Sequence, residues 1–159
     1  NALGRMEGIE LDYTGINKYL LLKPPFCFVD HVSNLVLGEY ASGYRNVTWN
    51  DWFFKVHYPD DPCMPGNLIA EAMGQILGFT ILVYPENIGK VALLVSTNNL
   101  RLFKKVRPGD KLDMKATVLS FKRGLLKGRC EASVKNELVA VADITLMLDG
   151  VEMISPSKK

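Results

Sequence analysis

The chain has 159 residues, 48% of them hydrophobic and 23% charged. Those fractions and that length describe one packed domain and exclude intrinsic disorder. Lysine and arginine number 19 against 17 aspartates and glutamates, and a net charge of +2 is too small for a chain built to bind nucleic acid.

No apolar run approaches the roughly 18 to 20 residues of a membrane span. No basic region followed by an apolar stretch and a cleavage site opens the chain, so a cytoplasmic protein is expected. Asn1 to Arg5, before Met6, read as a tag remnant, and Ser155 to Lys159 as a disordered tail. Between them a single domain over residues 6–154 is expected. Cys27, Cys63 and Cys130 form no CxxC pair and no zinc spacing, so reduced, buried thiols are expected.

In chain order, Ile9 to Leu22 has a loose helical pattern ended by Pro24 and Pro25. Phe26 to Val36 is apolar and β-branched, which predicts a strand; a turn at Gly38 leads to another over Glu39 to Thr48. Trp49 to Tyr58 is an aromatic connector into the loop Pro59 to Pro62. Pro65 suits a first helical turn, where a missing N–H costs nothing. Asn67 to Tyr84 then carries apolar residues on every side, so this helix must be buried almost all round. Ala70, Ala72, Gly74 and Gly78 would let other backbones approach it. Pro85 stops it. Strands are predicted over Val91 to Phe103, Lys111 to Phe121, Leu125 to Val134 and Leu138 to Leu148, with turns at Pro108 to Asp110, Lys122 to Gly124, and Asn136. One long apolar helix and a run of strands joined by short turns predict an α+β fold, a curved antiparallel sheet wrapped around that helix.

In so apolar a helix the polar residues are informative. Glu71 and Gln75 are four apart, hence on one face. A carboxylate among Leu68, Ile69, Ala72 and Met73 needs a raised pKa, a partner or a cavity. The bland alternative is a glutamate that reaches solvent or a buried arginine. His57 stands among aromatics before a proline-rich loop, where a structural role is the commoner one. His31, beside Asp30, reads as a surface residue in a local pair. Together, His57 as a base and Glu71 as an acid suit an elimination. Gly66 lies at the helix start, where a free N–H and the helix dipole favour negative charge.

These residues resemble a known family. His57, Tyr58 and Pro59, then Pro62, then Met64, Pro65 and Gly66, then Glu71, Ala72, Met73 and Gln75 are similar to the signature of β-hydroxyacyl-acyl-carrier-protein dehydratases, hot-dog-fold enzymes of type II fatty-acid synthesis. That family typically reads His-Phe-Pro-Gly-x-Pro-x-Met-Pro-Gly, then Leu, then Glu-Ala-x-x-Gln. Pro25 and Phe26, Val29 and Asp30, Asn46 to Thr48, Phe53 and Phe54, Arg101, and Val106 with Pro108 to Asp110 resemble further family segments. One of these is a Lys-Asn-Val-Thr element. The likeness covers roughly Leu20 to Leu148.

The resemblance implies that His57 is the base at C2, that Glu71 assists departure of the 3-hydroxyl, that the Gly66 N–H holds the thioester carbonyl, and that Gln75 orients Glu71. It implies a (3R)-hydroxyacyl substrate on acyl carrier protein, no cofactor and no metal. It implies a homodimer whose sheets join, with the two halves of a site from different chains, and often a trimer of dimers. Glu71 matches the dehydratase-only branch; the isomerising branch usually has Asp. The basic run Arg101, Lys104, Lys105 and Arg107 is a candidate surface for the acidic carrier. Departures are Val56 for Gly, Tyr58 for Phe, Asp60 and Asp61 for Gly-x, Pro24 for Tyr, and Val95 and Ser96 for Ala-Gly. Competing functions are a specialised polyketide or polyene dehydratase, a hot-dog thioesterase using Glu71, and a non-catalytic acyl-binding domain.

Overall fold

A computed structural model describes residues 8–149. The expected remnant Asn1 to Arg5, the tail Ser155 to Lys159 and both bounds of the expected domain lie outside them. The elements are β1 (Ile9–Leu11), α1 (Tyr13–Tyr19), β2 (His31–Val36), β3 (Tyr40–Asn46), α2 (Gly66–Leu82), β4 (Val91–Leu102), β5 (Lys111–Lys122), β6 (Leu125–Val134) and β7 (Glu137–Asp149). Short 3-10 turns cover Trp52–Lys55 and Pro85–Asn87.

All pairings are antiparallel, in the order β1-β2-β3-β5-β6-β7-β4. Two-residue turns close the later hairpins. Arg123 and Gly124, and then Lys135 and Asn136, all have positive φ, the geometry whose twist matches that of the flanking strands.

Two expectations are corrected. Ile9 to Leu22 is not one helix. Ile9 and Leu11 sit in a short strand, and Asp12 accepts from the Thr14 and Gly15 N–H groups to cap a new, shorter helix. The segment from Phe26 to Asp30 is not strand either; β2 starts at His31.

Helix α2 packs against β2 to β7, and from Ile69 to Leu82 every residue but Glu71 is buried. Pro65 is its N-cap rather than its first residue. A buried helix end needs partners for its last carbonyls. Gly38 N–H donates to Thr80 O at 2.8 Å, and Asn87 Nδ2 to Ile81 O at 2.7 Å. Added methyls at Gly74 and Gly78 would make only ordinary contact with β7, the nearest atoms 3.8 and 3.6 Å away.

The close approach falls elsewhere. A Cβ at Gly43 of β3 would lie 2.2 Å from the His31 carbonyl oxygen and 2.9 Å from Ile76 of α2. Gly43→Ala should therefore cost about 1–3 kcal/mol of stability, read as a lowered urea midpoint. An unchanged midpoint would refute that tight packing.

Strand β4 differs from the rest. Among the described residues it pairs with β7 alone, leaving its other edge unpaired, and Leu93, Leu94, Val95, Leu100 and Leu102 are exposed. The cysteines are free; burial pushes the Cys130 thiol up to about 12.

Candidate active site

The 3-10 turn at Trp52–Lys55 turns the chain into the His57 loop, and His57 N–H donates to Phe53 O at 3.0 Å. Val56 has φ −116° and ψ −5°, a negative φ that does not demand the family's glycine. The left-handed residue is the next one but one: Tyr58 has φ 53°. Asp61 N–H closes that turn on Tyr58 O at 2.9 Å.

The loop is pinned from the far side. Asp61 accepts from Lys105 and, at 2.7 Å, from Arg107, and Met64 N–H donates to Val106 O at 2.8 Å. These bonds, Lys105 first and then Arg107, hold the exposed Asp61 carboxyl down at about 2. Asp61 was legible only as a departure from the family pattern; its partners lie 44 and 46 residues away.

His57 Nδ1 lies 2.9 Å from the Cys63 carbonyl oxygen. A carbonyl can only accept, so Nδ1 carries a hydrogen, and in the neutral ring Nε2 is the acceptor. The half-buried ring lines a cavity of about 340 Å³ with Cys63, Met64, Gly66, Leu102, Phe103, Lys104 and Lys105. Gly66 is the first residue of α2, where N–H groups have no helical acceptor. A Cβ there would meet Leu102 at 2.5 Å, so glycine lets β4 lie across the helix start.

Glu71 and Gln75 share a face of α2 one turn further on. Gln75 is 4% exposed and uses both ends of its amide. Its Oε1 accepts from Phe28 N–H at 2.8 Å; its Nε2 donates to Phe26 O at 2.9 Å and to Glu71 Oε2 at 3.0 Å. A backbone N–H fixes which end is oxygen, so the end facing Glu71 is a donor. Burial raises the Glu71 pKa, against the smaller lowering by Gln75.

Glu71 also lines two hollows. One is a slot of about 20 Å³ beside Gly74, Gly78 and Leu146. The other is an open cavity of about 350 Å³ beside Leu22, Phe26, Phe28 and Leu94. Neither includes His57, and the His57 cavity does not include Glu71. Within one chain the structure brings His57, Gly66, Lys104 and Lys105 to one hollow and Glu71 and Gln75 to another.

The basic run is less free than its sequence suggests. Lys104 pairs with Glu137, and Lys105 and Arg107 with Asp61; exposed Arg101 has no ion pair among the described residues. His31 pairs with Glu10 at 2.7 Å and stacks on Tyr44.

A family model described as FabA-like domain matches residues 21–143. The 3-hydroxyacyl-[acyl-carrier-protein] dehydratase FabZ of Bacillus licheniformis is 38% identical over 87% of this chain and 96% of its own length. That of Bacillus subtilis is 35% identical over 87% and 98%. Among solved structures, the dehydratase heterocomplex ApeI:P from Xenorhabdus doucetiae matches 91% of this chain and 97% of its own at a TM-score of 0.73 and 16% identity. Cj0977, a sigma28-regulated virulence protein from Campylobacter jejuni, covers 87% and 92% at 0.64 and 13%. The last two establish the fold alone, and it is the hot-dog fold the resemblance implied. On a match that spans the His57 loop, all of α2 and the strands from β2 into β7, the chain belongs to the FabA-like family.

Proposed function

We propose that this chain dehydrates (3R)-hydroxyacyl thioesters, carried on the phosphopantetheine arm of acyl carrier protein, to trans-2-enoyl thioesters in cytoplasmic fatty-acid synthesis. The observation that carries the reading is the geometry of the two groups. His57 turns Nδ1–H onto the Cys63 carbonyl, which leaves Nε2 of the neutral ring as the acceptor, and Glu71 sits where burial raises its pKa beside the donating Gln75 amide.

In the proposed reaction His57 Nε2 removes a C2 proton. The electron pair moves toward the thioester carbonyl, where the Gly66 N–H at the positive end of α2 receives the developing charge. The C3–O bond breaks, and the hydroxyl leaves as water with the Glu71 proton. Proton return from His57 to Glu71 through solvent resets the site. Gln75 keeps Glu71 aimed.

The separate hollows of His57 and Glu71 support a site assembled from two chains. The open edge of β4 and its exposed leucines and valine are the surface on which two sheets would join, into a homodimer and from there a trimer of dimers.

Turnover tests the reading. Purified protein mixed with 3-hydroxyacyl thioesters of several lengths on carrier protein should yield 2-enoyl thioester. Release of free acid would establish a thioesterase instead, and binding without turnover an acyl-binding domain.

The carrier surface is Arg101, Lys104, Lys105 and Arg107, of which Lys104 and Lys105 line the His57 cavity. Lys105 and Arg107 also hold the His57 loop through Asp61, so Arg101 and Lys104 are the cleaner probes. Replacing both with glutamate should raise KM for carrier-linked substrate about tenfold, and far less for a small thioester mimic. An equal change for both substrates would remove this surface from the proposal.

A further inference from the structure

Resting on the dehydration reading, we propose that Arg45 is a positioning residue for Glu71, acting through the backbone of Phe26 to Phe28 and the amide of Gln75.

That backbone segment is what aims Gln75, through Phe28 N–H and Phe26 O. Yet it lies before β2, outside the sheet ladder, so no strand pairing holds it. The carbonyl between those two contacts, Cys27 O, accepts from Arg45 Nη1 at 3.3 Å. The guanidinium carbon also sits 5.3 Å from the Phe28 ring centre and 5.9 Å from that of Phe53. Arg45 Nη2 is anchored to Asp51, whose other oxygen accepts from Thr48 N–H at 2.9 Å. The path from Asp51 to Arg45, to the segment, to Gln75 and to Glu71 is thus continuous in contacts.

Arg45 is 8% exposed, and its Nε has no partner among the described residues. Burying a cation with an unsatisfied donor is costly, and an apolar chain of similar length would fill the space at less expense in desolvation. What the cation adds is direction: it holds one carbonyl by a donated hydrogen bond and faces one ring at once. Its effect reaches the chemistry because slippage of Phe28 would release Gln75 Oε1. The amide could then turn and present an acceptor to Glu71 in place of a donor.

The test is a double-mutant cycle with an independent structural readout. Arg45→Met should lower kcat about ten- to a hundredfold with KM little changed, by misplacing a group one step from the reaction. Arg45→Lys should restore most of it. In a Gln75→Leu background, Arg45→Met should cost less than about twofold, because the route is already cut. NMR of the Gln75 side-chain amide should show its signals shifted in Arg45→Met and returned in Arg45→Lys. Arg45→Gln stands in if the methionine variant does not fold.

Equal losses in both backgrounds, or an unmoved Gln75 amide, would overturn the proposal. A wild-type protein without dehydratase activity would instead overturn the reading beneath it, while the amide signals would still decide whether Arg45 sets Gln75.

Discussion

Glu71→Gln is expected to lower kcat/KM for dehydration by about a hundred- to ten-thousand-fold, the usual range for losing a positioned acid. The substitution keeps volume, and an amide oxygen at position 71 can still accept from Gln75 Nε2, now 3.0 Å from Glu71 Oε2. Only the transferable proton is removed.

Stability should move the other way. Burial raises the folded pKa of Glu71, so its contribution to stability is full below the ordinary glutamate value and is lost as pH rises through the raised folded one. The glutamine variant has no such loss. Thermal unfolding at pH 5 and pH 8 should therefore show a flatter dependence for the variant, with the variant at least as stable as wild type at pH 8. Near-full turnover would make Glu71 a structural residue; a variant destabilised at pH 8 would refute the burial argument.

His57→Ala should cost a similar factor, since it removes the imidazole that lines the Gly66 cavity with Nδ1 held on the Cys63 carbonyl. Mixing the two dead variants gives a sharper result. If a site takes His57 from one chain and Glu71 from the other, a mixed dimer has one site with both defects and one with neither. Random exchange between equal amounts should restore about a quarter of wild-type activity. A site built within one chain would restore nothing. The separate hollows make restoration the expected outcome.

Much of this was legible in the residues. The helix was expected over Asn67 to Tyr84 and runs Gly66–Leu82, because a stretch apolar on every side between two prolines has few alternatives. Strands β5 to β7 were readable from their turns, since Gly124 and Asn136 are residue types that take a positive φ readily. Phe26 to Asp30 misled because its composition is strand-like while Phe28 N–H goes to a side chain, Gln75. The helical pattern over Ile9 to Leu22 misled because the cap Asp12 divides it.

The site divides the same way. His57, Gly66, Glu71 and Gln75 stand close together in sequence and could be read as a motif. Their supports could not: Asp61 with Arg107, and Gln75 with Phe26 and Phe28, meet across more than 40 residues. Pairings of that range depend on the finished sheet, which no local pattern reports.

The position of β4 has a consequence in time. Fourth of the seven described strands in chain order, it pairs among the described residues only with β7, and β5 and β6 must be completed before β7 emerges. At about 5–20 residues per second the ribosome leaves β4 without either neighbour for a few seconds. During that interval Leu93, Leu94 and Val95 form an apolar ribbon with both backbone edges bare. After β7 closes one edge, the other has no strand partner among the described residues. Concentrated nascent protein should therefore be the most prone to clump, because bare strand edges associate with one another.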